Sequence, residues 1–427
     1  MSLHAILLRV LSELNEQIVE HGERVAYLYL KMAEYRGMPD DKHLEHMMLA
    51  CFAHEIGAYK TEKFLDLLRF DVRNTLEHCI YGYLFMKYYS PLNDDAEVLL
   101  YHHTYYTEKE KHRDNPFIDD GILMHFLDRV DIFNIKHEDV QDVIWQLKNG
   151  AGRNFDPTDV DDFLAANERY HILDSLRDGT YRVDVINYFD EHDRTERLVD
   201  SVVNMLASEV DFKSEQTVIH TITITQLTEI LGRKIGLSED AIWEATFAAR
   251  IHDIGKIDIP TSIVEKQGKL TAGEYERMKK HAVYTELIAN GLFPRNVVRI
   301  ASRHHERLDG SGYPRGLSAS DLTTPDRLVA VADVVSALLQ KRSYKSALDK
   351  ETVIDILSSE ADGGKLDREI VDLLISEYDE IIGEVIQKSS GTIKTYEGLH
   401  SEYGKYLKEY SAQERDALEE FGLFAKV

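Results

Sequence analysis

Rare residues of this 427-residue chain recur in the same order in its two halves, and that repetition limits it to a duplicated architecture. Moving the first half along by 199 positions places His21 on His220 and Gln17 on Gln216. Arg36–Asp41 then falls on Ile235–Asp240, and His54-Glu55-Ile56-Gly57-Ala58 falls on His252-Asp253-Ile254-Gly255-Lys256. His78 answers to His281, and His102-His103 to His304-His305. Asp131 answers to Asp333, each lying 28 residues beyond the second histidine of its pair. Gly152–Pro157 answers to Gly363–Arg368. The offset drifts by a few residues between elements, as changes in loop length produce, while the order holds throughout.

The repeated unit reads as helical. Ala241–Ile251, Glu274–Leu292 and Asp326–Gln340 space their apolar residues at helical intervals. Leu3, Ile6, Leu7, Val10, Leu11, Leu14 and Ile18 form one stripe of an amphipathic helix, interrupted by Glu13, Asn15 and Glu16, unlike a signal peptide. That stripe suits a core or a dimer seam. Thr217–Thr225 is β-branched and alternating, which by period alone suggests a strand. Its counterpart around His21 is helical, so a helix is expected there too. The eight prolines fall mostly at boundaries between such segments. The expected fold is all-α, two tandem helical bundles from an internal duplication. The first module runs over 1–163, a partly helical connector over 164–197, the second module over 198–388, and a helical tail over 389–427.

The second copy concentrates chemistry. His220, His252, Asp253, His281, His304, His305 and Asp333 bring imidazoles and carboxylates into one ordered set, a mixture that suits borderline divalent transition metals. Seven such groups exceed the needs of one ion and match those of two. Two ions sharing an oxygen can make water nucleophilic enough to attack a phosphodiester. The net charge of −26 argues against nucleic acid polymers and anionic membranes as partners, so an anionic substrate needs a local group of cations. Two cysteines, Cys51 and Cys79, provide no disulfide framework and read as packing residues. With no apolar run of transmembrane length, a cytoplasmic location is expected.

The second module resembles the HD-GYP family, a branch of the HD metal-dependent phosphohydrolases. The residues that carry the resemblance are His252-Asp253-Ile254-Gly255-Lys256, His304-His305-Glu306 through Gly312-Tyr313-Pro314, Val331-Ala332-Asp333, and Arg342-Ser343-Tyr344-Lys345. The resemblance implies an all-helical fold and hydrolysis of a cyclic dinucleotide, foremost cyclic di-GMP, to the linear dinucleotide through a metal-bridging hydroxide. It implies one ion on His220, His252, Asp253 and Asp333, with Asp253 bridging to a second ion on His281, His304 and His305. Iron or manganese is the implied metal, and nickel, zinc or magnesium also suit such donors. Lys256 is expected at the phosphate and the leaving oxygen, Arg342 and Lys345 at phosphate, and the loop holding Gly312, Tyr313 and Pro314 against the substrate. Family members that hold three metals carry a glutamate four residues before the first histidine. Here Gln216 stands there, with Glu215 one position earlier, so two metals are expected. A mixed cyclic GMP-AMP substrate, or a receptor that binds without hydrolysis, are the other readings, because no residue here separates guanine from adenine.

The first module resembles the same family but has lost part of it. His21, His54, Glu55, His78, His102, His103 and Asp131 fill the ligand positions, with glutamate in the bridging place. Ala58 stands where Lys256 does, and Thr104–Glu110 lacks Gly-Tyr-Pro. This copy reads as a metal-loaded or ligand-sensing regulatory module. His4, His43, His46, His112, His125, His137, His171 and His192 stand outside the ordered set and read as packed or exposed side chains. A homodimer is a further expectation for the assembly.

Overall fold

The structure, a computed structural model, describes residues 3–58, 75–90, 92–192, 215–264, 266, 268–344 and 349–420. Regular structure among the described residues is helical throughout, as the sequence predicts. In the first half these are α1 (Leu3–Arg36), α2 (Lys42–Ala53), α3 (Thr75–Tyr89), α4 (Ile118–Lys136), α5 (Val140–Gly150), α6 (Pro157–Tyr170), α7 (Ile172–Asp178) and α8 (Tyr181–His192). The second half has α9 (Glu215–Lys234), α10 (Glu239–Ile251), α11 (Thr261–Val264), α12 (Ala272–Met278), α13 (His281–Ala289), α14 (Arg295–Ala301), α15 (Thr324–Tyr344), α16 (Lys350–Asp362), α17 (Arg368–Ser376) and α18 (Tyr378–Glu420). No described helix is long and apolar enough to cross a membrane.

Two compact units result. One comprises Met1–Met205 with Gly398–Val427, the other Leu206–Glu397. In the first, α1 is the central helix, packed by α2, α4, α6 and α8. Its Tyr27, Leu28 and Tyr29 are fully enclosed, and burying Leu28 alone contributes about 1.5–3 kcal/mol. In the second, α9 takes the central role against α10 and α15, and α10 also packs on α14. The duplicated motif at the end of each module recurs as a cap: Asp156 accepts from Thr158 N, and Asp367 from Glu369 N and Ile370 N.

Three sequence expectations need correction. The boundary at 163 falls inside α6, and the expected connector belongs to the first unit. Phe163, Ala166, Ile172, Leu173, Leu176 and Val185 are buried there, so helices α6–α8 complete the bundle. The tail from Gly398 onward also packs in that unit: Leu399 is enclosed, Glu402 accepts from Lys87 and Tyr88, and Tyr403 meets Tyr81 edge-on at 6.1 Å. Finally, the helix expected over Glu274–Leu292 is split into α12 and α13, with a turn at Lys279-Lys280. The Thr217–Thr225 segment is helical within α9. Side chains of residues 1–16 lie outside the described residues, so of the amino-terminal stripe only Ile18 is seen, buried in α1.

Candidate metal centre

Four of the five second-module histidines named as ligands are placed by helix ends, while His220 lies within α9. His252 caps the carboxy terminus of α10, His281 opens α13, and His304-His305 follow α14. Three of these rings make the same bond. The Nδ1 atoms of His252, His281 and His304 donate to the carbonyls three residues earlier, Ala249, Met278 and Ala301, each at 2.7 Å. That bond fixes the tautomer and leaves Nε2 as a bare lone pair. His220 reaches the same state by another route. Ser336 Oγ donates to His220 O at 3.1 Å, so it accepts from His220 Nδ1 at 2.9 Å. The bare nitrogens then face one another: His220 to His252 at 3.2 Å, and His281 to His304 at 3.1 Å. Neutral lone pairs at that separation repel, and a cation about 2.0–2.1 Å from each turns the contact favourable.

Asp253 stands between the two pairs. One oxygen lies 3.1 Å from His252 Nε2, and the other 3.4 Å from His281 Nε2 and 3.9 Å from His304 Nε2. That second oxygen is buried without a hydrogen-bond donor. Asp333 faces His220 at 3.2 Å and His305 at 3.4 Å. These residues fit a pair of divalent ions: His220, His252, Asp253 and Asp333 around one, and Asp253, His281, His304 and His305 around the other. Electrostatics agree. Burial opposes ionising Asp253, yet His252 and Lys256 hold its carboxyl well below the usual range, and His220 and His305 do the same for Asp333. Burial pushes His281 down to about 3 and holds His304 well below the usual imidazole range, which keeps both neutral. At His252 burial is outweighed by Asp253, so its pKa rises.

Of the residues expected at the substrate, Lys256, Gly312, Tyr313 and Pro314 are described. Lys256 Nζ pairs with Asp253 and is partly exposed. Tyr313 lies against His305 at a ring distance of 4.7 Å, with Lys279 Nζ 5.9 Å over its ring. Gly312 allows this loop to lie flat: a Cβ there would sit 2.4 Å from Arg307 N. Glu306, almost wholly buried, anchors the loop by accepting from Arg315 N at 2.7 Å and Leu317 N at 2.9 Å. Pro314 is partly exposed beside Tyr313. The side chains of Arg342, Lys345, Glu215 and Gln216 lie outside the described residues.

The first module builds the same centre with one residue reassigned. His54 and His102 donate Nδ1 to Cys51 O at 2.7 Å and Leu99 O at 2.6 Å. Glu55 occupies the bridging place, 3.8 Å from His54 and 3.6 Å from His78. His21 Nε2, however, faces Asp128 at 3.1 Å, while its Nδ1 bonds Asp131 at 2.7 Å. Asp128 therefore stands where Asp333 does, and Asp131 where Ser336 does. Counting residues from the histidine pair misassigned them, because the first-module loop is three residues shorter and the helix moves by nearly one turn. Asp131 is a support for His21, tied in turn to Arg24 at 2.7 Å. His125, expected to be ordinary packing, is buried with neither ring nitrogen hydrogen-bonded, and it can share a metal with His103 and Asp128.

Sequence reading thus missed Ser336, Asp128 and His125 and gave Glu306 no role. Only Asp128 left a trace, three residues before Asp131 and so on the same helical face.

Residues 200–370 match the HD domain family. The second module matches the HD domain over most of its length, and its ordered motifs resemble those of the HD-GYP branch of that superfamily. The chain is 27% identical over 391 residues to 3'3'-cGAMP-specific phosphodiesterase 1 of Vibrio cholerae, covering 86% of this chain and 89% of that protein. It is 31% identical over 232 residues to 3'3'-cGAMP-specific phosphodiesterase 3 of the same organism, spanning 53% of this chain and 50% of that one. A cyclic di-GMP phosphodiesterase of Thermotoga maritima is 35% identical over 206 residues, 45% of this chain and 55% of that protein. In fold, the chain resembles a crystal structure of a cyclic GMP-AMP-specific phosphodiesterase from Vibrio cholerae, with a TM-score of 0.53, 17% identity, and 89% and 98% of the two chains covered.

Proposed function

We propose that the second module hydrolyses a 3′,5′-linked cyclic dinucleotide to its linear form, with mixed cyclic GMP-AMP ahead of cyclic di-GMP. The observation that carries hydrolysis is the facing pairs of bare Nε2 atoms with Asp253 between them. The substrate order departs from the motif-based expectation of cyclic di-GMP. It rests on the relative named for 3'3'-cGAMP, whose likeness extends over 86% of this chain and so over both modules.

When bound, the ions supply an activated water and Lewis acidity at the phosphoryl oxygens. The chain's own groups do the rest. His220, His252, His281 and His304 present Nε2 in orientations fixed by their Nδ1 bonds, so little reorganisation accompanies the reaction. Asp253 joins the two halves of the site through its two oxygens. Lys256 holds an ammonium proton beside Asp253, where it can meet the phosphate and the departing 3′-oxygen. Tyr313 presents a ring face for a base, and Glu306 holds its loop in place. The first module keeps donors but has Ala58 in place of the lysine and no Gly-Tyr-Pro loop. It is read as a metal-bearing regulatory module.

Purified full-length protein, loaded with manganese or anaerobically with ferrous iron, is to be offered both cyclic dinucleotides. Linear product from mixed cyclic GMP-AMP is expected, formed faster than from cyclic di-GMP, and Asp253→Asn should abolish it. Tight binding with no product would make the module a receptor. Faster turnover of cyclic di-GMP would reverse the substrate order, and equal turnover would remove it.

A further inference from the structure

The two modules differ at one buried position inside their histidine clusters. The residue after His281 is Ala282, whose methyl is fully enclosed and offers no donor. The residue after His78 is Cys79, 2% exposed. Its Sγ lies 3.8 Å from His78 Nε2 and 4.0 Å from His102 Nε2. His78 Nε2 in turn lies 3.2 Å from His102 Nε2 and 3.0 Å from His103 Nε2. All four donor atoms fall within 4.8 Å of one another. Donors about 2.0–2.3 Å from a tetrahedral ion stand roughly 3.3–3.8 Å apart, and the separations of 3.0, 3.2, 3.8 and 4.0 Å found here bracket that range. The tautomer of His102, set by Leu99 O, turns a bare nitrogen into the cluster. Glu55 Oε2, buried and without a hydrogen-bond donor, sits 3.6 Å from His78 Nε2 on its edge.

We propose that the first module holds a thiolate-ligated divalent ion of the zinc class on His78, Cys79, His102 and His103. Four protein donors close the coordination shell, and closed shells of nitrogen and sulfur mark structural or regulatory sites, while hydrolytic ones keep a position open for water. Thiolate also makes the site softer than the second module's, so the two copies select different metals from one pool. On binding, the Cys79 thiol loses its proton to solvent and the sulfur lone pair goes to the ion. The proposal deepens the reading of the first module as metal-bearing.

The test uses the full chain, stripped of metal under reducing conditions and reloaded with cobalt(II). A near-ultraviolet thiolate-to-cobalt charge-transfer band is expected. It should vanish in Cys79→Ala and persist in Cys51→Ala. Both changes install the residue that the second module carries at the matching place, Ala282 and Ala249, so folding should survive, and circular dichroism checks it. Cys79→Ser, nearly isosteric, should also lose the band. Zinc content of the native protein should fall in Cys79→Ala. No band in cobalt-loaded wild type, or a band unchanged in Cys79→Ala, overturns the proposal. If His102→Ala then still lowers bound metal, the module binds metal without sulfur. If it does not, the metal-bearing reading fails as well.

Discussion

At the scale of single residues, the centre depends on where protons cannot go. Four second-module histidines have Nδ1 engaged, three by carbonyls and one by Ser336. Ser336 is the exception and so the informative target. Its hydroxyl can donate to His220 O while accepting from the ring Nδ1, which matches the tautomer of the other three. Ser336→Ala removes that acceptor and lets His220 take the wrong tautomer. Metal affinity should fall about 10–100-fold, the usual effect of losing an outer partner, with helicity unchanged. Titration with manganese reads it, and unchanged affinity would show that the ring is held by packing alone. Lys256 makes a separate prediction. Against a net charge of −26, it is a cation placed at the pocket itself. Lys256→Met should lower kcat about 10²–10³-fold if the ammonium stabilises the departing oxygen, with metal content retained. A rise in KM alone would limit the lysine to binding.

At the scale of elements, close approach decides the site. The Ile254–Asp258 turn packs on α13, and a Cβ at Gly255 would fall 2.1 Å from His281 O and 2.5 Å from Thr285 N. Both obstacles are backbone, so Gly255→Ala has to move the turn that carries Asp253 away from the helix that carries His281. Destabilisation of about 1–3 kcal/mol is expected, together with loss of bound metal. Denaturant unfolding and elemental analysis read the two, and a stable variant with full metal would show the two elements to be less tightly coupled. The same contact shows what was legible in the sequence. Helices came through by spacing, and the histidine pairs by order. The break at Lys279-Lys280 did not, because both residues favour helix and what starts α13 at His281 is packing from a turn distant in sequence. Asp128 was hidden for a related reason: a shorter loop and a near-turn of helix compensate in space, so counting along the chain pointed to Asp131.

At the scale of the whole chain, duplication allows the copies to diverge in task. The second keeps Lys256 and the Gly-Tyr-Pro loop, whereas the first keeps donors and gains Cys79, His125 and Arg129 around them. Arg129 pairs with Asp128 at 2.5 Å, and helps hold its carboxyl well below the usual range against burial. Val334, apolar, follows Asp333 in the second copy. A carboxylate with a fixed guanidinium partner is a weaker base and ligand than one whose counterion is the metal itself. That difference sets the first-module cluster apart from the second and suits its proposed regulatory role. Changing it should therefore leave chemistry in place. His54→Ala should lower total metal and alter how hydrolysis responds to added metal, while turnover by the metal-saturated second module stays substantial. Glu55→Gln, which keeps the volume, serves where the His54 cavity unfolds the unit. Single-turnover hydrolysis with metal content measured on the same preparation reads both quantities. Complete loss of hydrolysis in a folded Glu55→Gln protein would mean that the two centres act as one, and the division of labour would have to be abandoned.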